Sequence, residues 1–172
     1  MNLTRRNALT GLAVTSASLV LPGRANANLA TENWSALRPL LARHWQGYAQ
    51  TRTANTEGGE LTLKLQVDLT PSDDMRFSGR LAMTSRWDTG TYSAVQAIRG
   101  YCWGTDDAVG VQIESSSLVS GDSLPDNLYW QGLTGQLRLY SERGNEGHWL
   151  LSGNLAGTRD GNSFETQLSD HS

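Results

Sequence analysis

Glu60-Leu61-Thr62-Leu63-Lys64-Leu65-Gln66-Val67-Asp68-Leu69-Thr70 is the stretch whose reading decides the fold. Leu61, Leu63, Leu65, Val67 and Leu69 share one parity, and Thr62, Lys64, Gln66 and Asp68 share the other. Successive side chains of a strand point to opposite faces, so this order buries one face and solvates the other. A helix would scatter the same leucines around its circumference.

The same period recurs on both sides. Upstream, His44 to Arg52 places Trp45, Gly47 and Ala49 on one face, and Glu57-Gly58-Gly59 forms the intervening turn. Downstream, Pro71-Ser72-Asp73-Asp74 turns the chain into Met75 to Arg86, with Phe77, Gly79, Leu81 and Met83 on one side. Asp88-Thr89-Gly90 leads into Thr91 to Trp103, interrupted by Gly100, where a bend or bulge is expected. Ala108 to Ser117 turns Val109, Val111 and Ile113 inward, and Ser120 to Asn127 is the longest polar loop. Tyr129 to Tyr140 alternates again through Leu133, Gly135, Leu137 and Leu139. Trp149, Leu151, Gly153 and Leu155 share a parity in the next strand. Arg159-Asp160-Gly161-Asn162 is a hairpin signal, because Asp-Gly and Gly-Asn accept positive φ, and Ser163 to Leu168 ends the series.

About eight strands at regular spacing, with no helix between them, predict an all-β domain: an antiparallel meander closing into a single barrel. Three strands share an inward glycine between apolar neighbours, at Gly79, Gly135 and Gly153. Such glycines permit tight curvature, which favours a closed barrel over a flat sandwich. Before the first strand, Trp34, Leu37, Leu40 and Leu41 fall at helical spacing, and Pro39 makes that segment short and irregular. The expected organisation is a helical lead-in over 28–43, the barrel over 44–169 and a frayed C-terminus over 170–172.

The N-terminus is expected to lie outside the fold. Arg5-Arg6 precede an uncharged run from Thr10 to Leu21, then Pro22, Arg24 and the small-x-small site Ala25-Asn26-Ala27. This is the order of a cleavable export signal over residues 1–27, with an apolar run too short for a stable membrane span. The paired arginines resemble a bacterial twin-arginine signal, with Leu9 in agreement and Ala8 where that pattern has Phe. The resemblance implies a periplasmic or secreted protein, with the twin-arginine or the general secretion machinery as an export partner. Residues 1–27 hold three of the 14 cationic residues and none of the 17 acidic ones, so the remainder carries a net charge of −6. That balance, with no basic cluster, argues against nucleic acid and anionic membrane surfaces as partners.

Trp45-x-Gly47 on the opening strand, the helical lead-in and the meander together resemble the calycin superfamily of lipocalin-like and avidin-like barrels, over residues 31–169. The resemblance implies binding of a small apolar or amphipathic molecule at the barrel mouth. Avidin-type proteins carry polar ligand-binding residues soon after the first Trp. Here Tyr48-Ala49-Gln50-Thr51-Arg52 departs from that pattern, and biotin binding is not carried over.

Catalytic signatures are sparse, which leans against an enzyme and names no catalytic residue. His44, His148 and His171 have no partner at metal-ligand spacing, so no metal ligand is assigned. Asp73-Asp74 and Asp106-Asp107 read as solvated turns, because calcium needs six or more oxygens in a shaped loop. No phosphate-binding glycine loop or Gly-x-Ser-x-Gly elbow occurs, and the cofactor is left unknown. Glu146 and His148 read as a surface turn beside a strand start. Cys102 is the single cysteine, which excludes an intramolecular disulfide.

The aromatic inventory is the informative feature: 6 Trp and 5 Tyr against 2 Phe favour side chains with a broad apolar face and one polar handle. These either plug the core or line a pocket. Trp45, Tyr92, Trp103 and Trp149 are the candidate ligand-binding residues. Trp130, in the second Trp-Gln-Gly triplet, falls off the parity of Leu133 and requires a bulge or an outward position. Three functions remain open: a ligand-binding barrel, an envelope protein–protein interaction module with a filled barrel, and an enzyme on a barrel scaffold. A filled interior, with Trp and Leu packed to native density, opposes the first; a cavity of about 300 Å³ or more with a few convergent polar groups favours it.

Overall fold

The alternation closes on itself. The structure, a computed structural model, describes residues 34–51, 61–105, 108–125, 128–141 and 147–170. The segment expected to be an export signal, the turn expected at Glu57-Gly58-Gly59, Asp106-Asp107, Glu146 and His171 lie outside the described residues.

Eight strands follow one another: β1 (His44–Thr51), β2 (Thr62–Pro71), β3 (Arg76–Trp87), β4 (Gly90–Thr105), β5 (Ala108–Gly121), β6 (Leu133–Ser141), β7 (Trp149–Gly157) and β8 (Ser163–Ser169). Each pairs antiparallel with the next, and β1 pairs with β8, which shuts the barrel. Closure gives every strand a neighbour on both sides, although β5 pairs with β6 only over Val109–Ile113, and so covers most of the sheet edges that would recruit other chains.

The deciding stretch behaves as its alternation dictates: β2 runs exposed–buried over all ten residues, with Leu65 fully buried. Leu81, Ile98, Ile113, Leu137 and Leu151 join it in filling the barrel's middle, each at most 2% exposed. Each such burial contributes about 1.5–3 kcal/mol. The inward glycines serve close strand approach. A Cβ on Gly135 would stand 2.4 Å from the Asn154 carbonyl oxygen, and one on Gly153 2.2 Å from that of Gln136. The bulge expected near Gly100 is present as a register shift between Arg99 and Gly100 on the β4–β5 ladder.

Among the described residues a single helix, α1 (34–41), runs uninterrupted through Pro39 and closes one end. Leu41 is fully buried, and the Trp34 indole donates to the Ser72 carbonyl at 2.9 Å, tying the helix to the β2–β3 turn. No helix among the described residues is long and apolar enough to cross a membrane.

Two expectations are corrected. Tyr129–Gly132 do not belong to a strand: β5 runs on to Gly121, β6 begins at Leu133, and the connecting segment crosses the other end of the barrel. Side-chain bonds from Trp130 and Gln131 take the place of ladder pairing there. Asp170 does not fray. Its side chain is 3% exposed and accepts from the Trp149 N–H at 2.9 Å and from the Arg43 guanidinium.

Candidate ligand site at the barrel mouth

With α1 over one end, the opposite end holds a cavity of about 270 Å³. Its wall is set by strand parity. Leu63 on β2, Met83, Ser85 and Trp87 on β3, and Phe164 on β8 continue the inward rows of the core up to the rim. Leu61, Asp160 and Asn162 complete that side. Leu124, Leu128, Tyr129, Trp130 and Gln131 of the β5–β6 connection form the other side, with Leu133 at the start of β6.

The connection is a strap fastened at both ends. Near its start, Asp122 exchanges two bonds with Ser93: its N–H donates to the Ser93 carbonyl at 2.9 Å, and its carboxylate accepts the Ser93 N–H at 2.7 Å. The Trp130 indole donates to the Asp122 carbonyl at 2.9 Å. At the other end, the Gln131 amide donates to Asp160 at 3.0 Å and accepts the Arg159 and Asp160 N–H groups. The Arg159 guanidinium lies 3.9 Å from the Tyr129 ring centroid, within cation–π range. Burial pushes the Asp160 carboxyl up, but the Asn162 N–H and the side chains of Gln131, Tyr129 and Asn162 outweigh it and hold it below the ordinary carboxylate range. Asp160 is therefore an anion at neutral pH.

Beneath the strap, Gln96 is fully buried. Its amide donates to the Gln131 carbonyl at 2.5 Å, and its oxygen accepts the Leu133 N–H at 3.2 Å and the Ser116 hydroxyl. Thr51 accepts the Leu61 N–H, and Thr166 donates to the Phe164 carbonyl. Of the four buried polar side chains, Thr51, Ser85, Gln96 and Thr166, only Ser85 has no such bond among the described residues. The Trp87 indole N–H is likewise buried and without a partner among the described residues. An unsatisfied buried donor costs about 1–3 kcal/mol, so two on one cavity wall are a feature to explain.

The four residues selected from sequence do not come together here. Trp45 is fully buried under α1 and donates to the Leu41 carbonyl at 3.2 Å, at the closed end. Trp149 packs against the core at that same end, paired with Ser141. Trp103 lies on the outward parity of β4 and covers Gly110 of β5. Tyr92 is at the mouth end, but its hydroxyl turns back to the Thr89 hydroxyl at 3.1 Å, and the residue is not part of the cavity wall. The two Trp-Gln-Gly triplets sit at opposite ends of the barrel, Trp45 under the helix and Trp130 in the strap. The aromatic residues that do line the cavity are Trp87, Tyr129, Trp130 and Phe164. Ser85 and Trp87 were accessible to parity reasoning, since they extend the row Phe77, Gly79, Leu81 and Met83.

Remaining chemistry lies elsewhere. Cys102 is buried, and burial pushes its thiol up to about 12, so it is protonated and unreactive at neutral pH. Asp73 pairs with Arg38, and Asp74 accepts from Ser72 and the Arg76 N–H, all at the closed end. His44 contacts Asp68 at 2.6 Å on the outer surface. The chain matches no protein-family model, and no curated protein matches it in sequence.

Proposed function

We propose that this is an exported, non-catalytic β-barrel protein that binds a small apolar or amphipathic ligand in its mouth. The observation that carries the reading is the asymmetry of the two ends. One is plugged by α1 and Trp45, whereas the other keeps a cavity of about 270 Å³ walled by leucines, aromatics and a few polar groups. That composition is the usual one of a small-molecule site, and the volume falls just under the usual range of about 300–1,000 Å³. The resemblance to calycin barrels and the signal-like N-terminus support ligand binding and a periplasmic or secreted location.

Native mass spectrometry of the folded protein exposed to a metabolite mixture tests this. Leu133 lines the cavity and is 1% exposed. A retained small molecule is expected on the wild-type protein and its loss on Leu133→Trp, which fills the mouth. No retained species, or retention unaffected by that substitution, counts against the reading.

A second reading, an interaction module, is favoured by one observation. Leu118 and Val119 on β5 are 53% and 66% exposed, beyond the Val109–Ile113 segment that pairs with β6.

A further inference from the structure

Ser85 and Trp87 are two residues apart on β3 and therefore point to the same face, that of the barrel interior. Both belong to the wall of the mouth cavity, and both hold a buried polar hydrogen without a partner among the described residues. An indole N–H can only donate, and a serine hydroxyl can donate or accept. The complement they call for is a hydrogen-bond acceptor. The charge on the wall narrows it further. Among the described residues, Asp160 is the one formally charged residue of the lining, held as an anion by its donors, and no Lys, Arg or His of theirs lines the cavity. A carboxylate or phosphate entering there would meet a like charge, with Arg159, the nearby cation, stacked on the Tyr129 ring and not among the lining residues. The rest of the wall, from Leu63, Met83 and Phe164 to Trp130, requires an apolar body.

We propose, resting on the ligand-binding reading above, that the mouth selects uncharged carbonyl compounds. The apolar body would lie among the leucines and aromatics, with the carbonyl oxygen accepting from Ser85 Oγ–H and Trp87 Nε1–H.

Three probes of one shape separate the possibilities: 1-indanone (a neutral ketone), indane (no acceptor) and indane-1-carboxylate (an anion). Each is titrated into the full-length protein by calorimetry. The ketone is expected to bind about tenfold or more tightly than indane, the worth of a buried hydrogen bond, and the carboxylate more weakly than the ketone. Ser85→Ala and Trp87→Phe should each shrink the ketone-to-indane ratio several-fold. Near-ultraviolet circular dichroism reports whether each variant keeps its packing, and Ser85→Ala, the smaller change, decides if Trp87→Phe unfolds. Equal affinity for ketone and indane, or a ratio unmoved by Ser85→Ala, overturns carbonyl selection while leaving an apolar site. Tighter binding of the carboxylate overturns neutrality. Failure of all three probes to bind overturns the selection, and the metabolite experiment then decides independently whether the mouth binds anything.

Discussion

At the scale of single residues, the mouth depends on polar side chains set in an apolar row. Gln96 stands between Ala94 and Ile98 on the inward face of β4 and satisfies a carbonyl and an N–H that no strand partner reaches. Replacing it by Leu keeps the volume roughly but strands both groups beneath the strap. At about 1–3 kcal/mol for each unsatisfied buried group, Gln96→Leu is expected to lower unfolding free energy by about 2–4 kcal/mol in urea denaturation. Ser116→Ala, which removes only one donor to the Gln96 oxygen, should cost about 1 kcal/mol. A loss below that for Gln96→Leu would mean the strap rehydrates freely. The anomaly of Gln96 was legible from its parity. Its partner was not, because Gln131 lies 35 residues downstream and nothing local in either segment encodes their meeting.

At the scale of elements, the closed end is held by a latch joining the segment after α1 to the end of β8. Arg43 donates to Asp170 and, at 3.2 Å, to the Gly147 carbonyl, while Asp170 also accepts the Trp149 N–H. His148 Nδ1 lies 4.0 Å from the same carboxylate. Burial pushes the Asp170 carboxyl up, but the Trp149 N–H and then the Arg43 guanidinium outweigh it and hold it below its ordinary 3.8. A carboxyl with a folded value below its unfolded one stabilises the fold above the unfolded value, and that contribution disappears as pH falls through the folded one. Asp170→Asn is therefore expected to cost about 1–2 kcal/mol at pH 7. Wild type and variant should converge in acid below pH 3.8, as followed by denaturation midpoints across pH. A constant gap down to the acid limit would remove the carboxylate from the latch. Element boundaries were readable where alternation was strict, as in β2, and failed at Tyr129–Gly132, where alternating composition serves a strap. There the side-chain bonds of Trp130 and Gln131 outcompete the ladder, and a period of two in sequence does not distinguish them.

At the scale of the whole molecule, the barrel follows from two things the sequence carries openly, an apolar row on every strand and glycines where the wall must bend. The unequal ends were less legible. The helix was visible as a periodic segment and the mouth was not, because its wall gathers residues from β2, β3, β6, β8 and the strap, which only closure brings together. Gly100 shows how closure and core share one constraint. It faces Phe77 across the β3–β4 ladder and sits at the β4–β5 register shift. A Cβ there would lie 1.8 Å from the Gln112 carbonyl oxygen and 2.7 Å from the tip of the Phe77 ring. The ring can tilt away, but the carbonyl belongs to the neighbouring strand and moves only if β4 and β5 separate. Overpacking of this kind costs about 1–3 kcal/mol and more when backbone must shift. Gly100→Ala is accordingly expected at or above the upper end of that range, with unfolding still a single cooperative transition, because the strain is carried by the closed ladder and not by one side chain. Adding Phe77→Leu should relieve only the ring contact and restore less than half of the loss in denaturant midpoints. Full rescue by that second change would locate the constraint in the core packing of Phe77, and the bend of the wall would then need another cause.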